Sequence, residues 1–373
     1  MMKQSIKKIV ELMMFLGLLI QCKEKSPENS PEKYDTKTMV TSITNNYIIP
    51  AYQNYKTNTT NLLDLINIFI SNPTEVNLQN CQNQWKSTAL SWQDVAMLDF
   101  GPAKTINLRA QTNIYPVDTT LIKSNILSNS YDLQQPENFD AKGLQTLDYL
   151  LFIPAMTNNQ IVNYYSTNSN AKTYLSAICS ELKSNAFTVF NQWNTTYKTS
   201  FINNIESNAV GTSVSDIVNA LSLHFEAFVR KGKVGIPLGV FNGITQQIMP
   251  GHVEAFYSDY SVALALRSIE AFDNYIKGKT YNSFTNGEGL DDYLNFVKAK
   301  NNNQDLSIVI ENKLNEIKTN LNALGGSLKD AITTNNSAVQ TLYQSMQELV
   351  PLIKVEMTAN LGVLIDYQDS DGD

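Results

Sequence analysis

Gln145 and Asp148 stand three positions apart in the stretch G-L-Q-T-L-D that opens at Gly143. On a helix that spacing puts both side chains on one face, while Leu144, Leu147 and Leu151 line another. A carboxylate and an amide held together beside an apolar stripe can hydrogen-bond a small ligand or coordinate a hard cation. Tyr149 and Phe152 lie within a helical turn, so the pair should be partly desolvated, where charge and hydrogen bonding count for more than in water. An arbitrary Q-x-x-D is most often a solvated helix face. The case for a site therefore depends on the rest of the chain.

Other chemistries have little support. Zinc hydrolysis needs two or three imidazoles or thiolates converging on the metal with a carboxylate as base, but the chain has two histidines, His224 and His252. Neither begins an H-E-x-x-H or H-x-x-E motif, and no Glu precedes a His by three positions as di-iron bundles require. His224 falls in the helical run L-S-L-H-F-E and His252 at an expected helix entrance, which suits packing and capping roles. A nucleophile elbow, a phosphate loop and a dinucleotide fingerprint are absent from the sequence. Asp94, Asp99, Asp118, Asp148 and Glu254 are the carboxylates to watch, because they flank irregular segments or belong to the opening motif. The C-terminal Asp366, Asp369, Asp371 and Asp373 lack the ligand count and distal Glu of a calcium loop, and read as an acidic solvated tail.

The elements that must position these residues are helices. Apolar residues recur at helical spacing from Ile43 to Ile68, interrupted at Pro50, and from Glu75 to Leu98, ending before Gly101-Pro102. Further helices are expected over 171–205, 214–230, 253–276, 306–324 and 337–365. Strand-like alternation is scarce. Two irregular stretches, 100–139 and 232–251, are longer than a bundle connection needs, and such loops often carry function. The simplest architecture is all-α, with two four-helix-bundle-like domains at 38–207 and 208–373 whose similar plan is compatible with duplication.

The first 22 residues carry Lys3, Lys7 and Lys8 ahead of an apolar run, Leu12 to Ile20, that is too short to span a bilayer. The pattern is that of a signal peptide. Its ending, L-I-Q-C, resembles a bacterial lipoprotein lipobox, which implies lipidation of Cys22, although Gln21 stands where a small residue is usual. Residues 23–37, charged and proline-containing, read as a flexible tether. Removal of residues 1–22 leaves 25 basic and 34 acidic residues. That balance, without a basic stripe, argues against nucleic acid as a partner. Cys81 and Cys179 remain, as a disulfide or as two buried thiols.

Taken in order, these pieces resemble the imelysin-like family, named after an insulin-cleaving membrane protease. The matching residues are Trp85 and Trp92; D-F-G-P, Asp99 to Pro102; Arg109 with Y-P-V-D, Tyr115 to Asp118; the G-L-Q-T-L-D-Y-L-L-F stretch; R-K-G-K-V-G-I-P-L-G from Arg230; V-E-A-F-Y-S from Val253; and the terminal D-S-D-G-D. The resemblance implies two helical domains, a place in the bacterial envelope (outer membrane, periplasmic or surface-facing) and a link to iron or haem uptake. It also implies a G-x-H-x-x-E signature near the domain junction. Here Gly143 matches, Gln145 replaces the histidine and Asp148 the glutamate. An amide carbonyl is a weak, hard donor compared with imidazole.

The expectation is a non-enzymatic, lipid-anchored protein that binds a small ligand, a divalent cation, iron or haem. Gln145 and Asp148 form its polar centre, Asp148 being the metal-ligand candidate. Asp94, Arg109 and Glu254 are further partners, and Gly143, Gly101, Pro102 and Asp118 form the frame. A metallopeptidase of the imelysin type, or a scaffold that engages an envelope protein through a decayed site, are the alternatives.

Overall fold

Buried residues at Ala51, Tyr52, Tyr55, Thr59, Leu62, Ile66 and Phe69 recur every three or four positions and make one apolar face of a long helix. Side chains as fully covered as Leu62, Ile66 and Phe69 each contribute about 1.5–3 kcal/mol by leaving water. In the computed structural model, which describes residues 33–283 and 285–368, this helix belongs to an all-α fold. The signal peptide with Cys22, the tether as far as residue 32 and the tail from Asp369 lie outside the described residues. Among the described residues, no helix is long and apolar enough to cross a membrane.

The first half contains α1 (Thr36–Ile43), α2 (Ile49–Ser71), α3 (Glu75–Val95), α4 (Leu108–Thr112), α5 (Thr119–Ser128), α6 (Gly143–Leu151), α7 (Asn158–Thr167) and α8 (Ser169–Gln192). Helix α2 packs along both α3 and α8, and α6 lies against α3 and α8. The second half contains α9 (Ser213–Leu223), a π-helical segment His224–Gly235, α10 (Ser261–Ile276), α11 (Leu306–Ala323), α12 (Leu328–Thr334) and α13 (Asn336–Pro351). Helix α10 packs on both α3 and α11, so it is the main helical contact between the halves. Residues Lys300–Asn301 and Gln304–Asp305 pair as a short antiparallel ribbon.

Capping follows the local chemistry. Thr74 and Asn168 accept the N-terminal N–H groups of α3 and α8, and Thr157 with Gln160 forms a capping box on α7. Asp118 caps α5 through the N–H groups of Thr120 and Leu121.

Pro50 does not interrupt its helix as the sequence suggests. A π-helical turn, Thr44–Ile48, immediately precedes it and gives the ring the room that a regular α turn denies. Proline has no N–H to offer the Asn46 carbonyl in α-helical register; that carbonyl instead accepts the N–H of Tyr281 at 2.7 Å. The expected helix over 253–276 also differs. It starts only at Ser261, and residues 253–260 form a turn with Ala255 and Asp259 in the left-handed region, φ 54° and 56°.

Candidate functional site

Gln145 and Asp148 share one face of α6, and both are buried. Helix α6 is held from α3, where Trp85 Nε1 donates to the Leu144 carbonyl at 2.9 Å and Gln82 Nε2 to the Leu151 carbonyl at 2.8 Å. At its start Gly143 has φ 75°, and a Cβ there would sit 2.3 Å from the Thr112 carbonyl oxygen. Gly143 is thus at the helix entrance. The left-handed backbone and the close approach of Thr112 both require glycine.

The partners of the pair come from the turn at 253–260. Gln145 Oε1 accepts the Ala255 N–H at 2.7 Å, and the Asp148 oxygens accept the Tyr257 and Ser258 N–H groups at 2.9 and 3.1 Å. Burial pushes the Asp148 carboxyl up to about 7, against these hydrogen bonds and the charge of Lys329, which favour the ionised form. Lys329 of α12 clamps the turn from its other side by donating to the Phe256 carbonyl at 3.1 Å.

Glu254 joins through Asn113. Gln145 Nε2 donates to Asn113 Oδ1 at 2.8 Å, and Asn113 Nδ2 donates to Glu254 Oε1 at 2.8 Å. Gln93 Nε2 adds a second donor to Oε1 at 3.0 Å. The Lys233 ammonium pairs with Glu254 Oε2 and donates to Gln93 Oε1 at 2.9 Å. Burial draws the Lys233 pKa down while Glu254 supports its charge. Gln145, Asp148 and Glu254 therefore meet in one network, each with its acceptors supplied by protein donors. The cavity beside it, lined by Tyr115, Gln145, Phe256 and Tyr257, measures about 20 Å³. That is room for about one water molecule.

Arg109 borders this network. Its guanidinium donates to the Ala96 carbonyl, lies 3.5 Å from Asp99 and stacks 3.7 Å from the Phe228 ring centroid. It also meets His224 Nδ1 at 3.1 Å. Arginine can only donate, so Nδ1 must accept, and the proton sits on Nε2, which faces Ser268 Oγ at 3.3 Å. Burial, reinforced by the charges of Arg109 and Lys233, holds the His224 pKa well below the usual imidazole range. This histidine is a neutral packing and hydrogen-bonding residue. His252 closes a short 3₁₀ turn, Pro250–His252.

Asp94 points elsewhere, to Arg267 of α10 and to the Tyr281 hydroxyl. Its neighbour Gln93, one residue round the helix, is the side chain that reaches Glu254. Gly101 and Pro102 begin a short helix, and Tyr197 occupies the space that a Cβ on Gly101 would need. Cys81 and Cys179 are free and buried, and burial pushes Cys81 up to about 12. They are not reactive thiolates.

The imelysin family's sequence model matches residues 48–354. The chain belongs to the imelysin family. Its fold resembles that of a putative iron-regulated protein A precursor from Parabacteroides distasonis ATCC 8503, with a TM-score of 0.72 at 16% identity over 90% of this chain and 97% of that one. An imelysin-like protein from Psychrobacter arcticum 273-4 aligns with a TM-score of 0.56 at 18% identity over 89% and 96% of the two chains. No curated protein matches the sequence. Asn113, Gln93 and Lys233 complete the network yet did not stand out in the sequence. Lys233 lies inside the R-K-G-K-V-G run, and Gln93 is adjacent to Asp94. A reading of helix faces at single-residue resolution was the signal available.

Proposed function

We propose that this protein is a non-enzymatic imelysin-like lipoprotein, held in the bacterial envelope through Cys22, that binds a small ligand in support of iron or haem uptake. The observation that carries this reading is the occupation of the motif face. Gln145 Oε1 and both Asp148 oxygens each accept a backbone N–H from the 253–260 turn. A catalytic zinc site keeps an open coordination position and usually relies on imidazole or thiolate ligands. The residues present do not fit such an ion: Gln145 is a poor ligand, Glu254 is committed to Lys233, and among the described residues no three His, Cys, Asp or Glu side chains group as a metal site. The link to iron is supported by the name carried by the Parabacteroides neighbour, and the anchor by the L-I-Q-C sequence at Cys22.

The test has two arms. Residues 23–373 incubated with denatured casein and zinc should give no cleavage above the buffer control. Chelator-sensitive cleavage that is lost in a folded Asp148→Ala variant would overturn the non-enzymatic reading. In a bacterial host that processes lipoproteins, the full chain should sediment with membranes and Cys22→Ser should not; membrane retention of the variant would refute the anchor.

A further inference from the structure

A second polar centre is built between α2, α3 and α10, apart from the motif face. Arg267 grips Asp94 at two points, Nε to Oδ1 at 2.7 Å and Nη2 to Oδ2 at 2.9 Å. The Tyr281 hydroxyl donates to the same Oδ2 at 2.7 Å and accepts from Asn54 Nδ2 at 2.7 Å. Asn58 Nδ2 in turn donates to Asn54 Oδ1 at 3.3 Å, while Gln84 Nε2 holds Asn58 Oδ1 at 2.9 Å. The amides are thus oriented before any ligand arrives, which lowers the ordering cost of binding.

Two cavities of about 470 and 300 Å³ share Asp94, Arg267, Tyr281 and Asn282. They are two lobes of one cleft divided by the ion pair, and each is within the range of small-molecule sites. The Asp94 side chain is 2% exposed and that of Arg267 is 29% exposed, so the guanidinium is the partner that solvent can reach. Asn54, Asn58, Ser87 and Glu270 line the larger lobe together with Leu90 and Leu266.

The chemistry of these walls selects among ligand classes. In the larger lobe Asp94 and Glu270, the latter 3.7 Å from Arg267 Nη1, together outweigh the single guanidinium, so a strongly anionic ligand is disfavoured there. A wholly apolar ligand would strip water from the amides without replacing their hydrogen bonds. A neutral ligand with many hydroxyls satisfies the amides, and its C–H faces can cover the leucines. We propose that this cleft is a saccharide site for a neutral di- or trisaccharide, with Asn58, Ser87, Arg267 and Glu270 bonding its hydroxyls and Leu90 and Leu266 packing on its C–H faces.

This proposal rests on the reading of the protein as a binding protein, and it identifies the ligand class and the place. Residues 23–373 are titrated by calorimetry with maltose, cellobiose, chitobiose and maltotriose, up to about 10 mM so that millimolar affinity is detected. At least one should bind. Ser87→Trp, which fills the cleft from an exposed position without altering Asp94 or Arg267, should weaken it about tenfold or more, equivalent to about 1.4 kcal/mol. Asp148→Asn, at the motif face, should leave it within about threefold, well under the tenfold step. No binding by any of the four sugars, or binding indifferent to Ser87→Trp, would overturn the assignment. So would binding of spermidine that Glu270→Gln abolishes. Casein cleavage with sugar binding intact would remove only the non-enzymatic reading; loss of sugar binding with no cleavage would remove only the cleft.

Discussion

Asp148 accepts the Tyr257 and Ser258 N–H groups and is further favoured in its ionised form by the Ser258 side chain, yet burial outweighs these partners and raises its pKa to about 7. In the unfolded chain an aspartate titrates near 4, about three units lower. The folded state therefore binds this proton more tightly. Its contribution to stability is fully present below about pH 4 and is lost as the pH rises through about 7. Urea titrations at pH 4, 5.5 and 7 should show this component, worth a few kcal/mol, in the wild type. Asp148→Asn, which cannot ionise, should lack it; a variant with an unchanged pH profile would refute the assignment. Part of this was legible in the sequence. The i, i+3 spacing placed Gln145 and Asp148 on one face, as the structure has them, but their donors lie more than a hundred residues away and no local pattern reveals them. Asp94 shows the complementary limit: its proximity to the irregular segment was visible, while one position of helical rotation decided that Gln93 would reach Glu254.

The 253–260 segment shows how an element can contradict its own periodicity. V-E-A-F-Y carries a helix-compatible pattern, yet Ala255 and Asp259 adopt positive φ. Left-handed backbone costs about 1–2 kcal/mol at a non-glycine residue. The bonds from Ala255, Tyr257 and Ser258 to Gln145 and Asp148, with the Lys329 clamp on Phe256, offset that cost. Helix propensity is a weak local preference, and tertiary partners override it here. Pro50 is the same lesson in reverse, since a π turn preserves a helix that proline should end. Gly143 connects the two ends of the motif face by letting α6 begin against Thr112. Gly143→Ala should destabilise the protein by about 2 kcal/mol or more, from positive φ and the backbone clash together, read as a lower urea midpoint with an unchanged slope. Equal stability would mean that the close approach is not maintained in solution.

Across the whole molecule, the buried Lys233–Glu254 pair joins the π-helical segment to the 253–260 turn, and Gln93, Asn113 and Gln145 extend it into the first half. Removing one charge from such a pair strands the other in a low-dielectric site. Lys233→Met should cost about 3–5 kcal/mol, and adding Glu254→Gln should recover at least half of the loss. A double variant no more stable than Lys233→Met, measured by urea denaturation, would show that the pair itself carries the stability. Net charge and helical periodicity were properties of the chain that could be read directly, because apolar spacing sets which face of each helix is buried wherever that face goes. The all-α class and the family likeness followed from those periods and from the order of the motifs. What only tertiary packing decided was the fate of the motif face. Its amide and carboxylate were recognisable as a polar pair, but whether they would meet a ligand or a neighbouring backbone depended on a turn folded against them by Lys329. The Asp94–Arg267 cleft was likewise assembled only when α10 packed on α3, since hydrogen bonds and ion pairs between distant segments depend on ångström-scale placement that spacing along one helix does not encode.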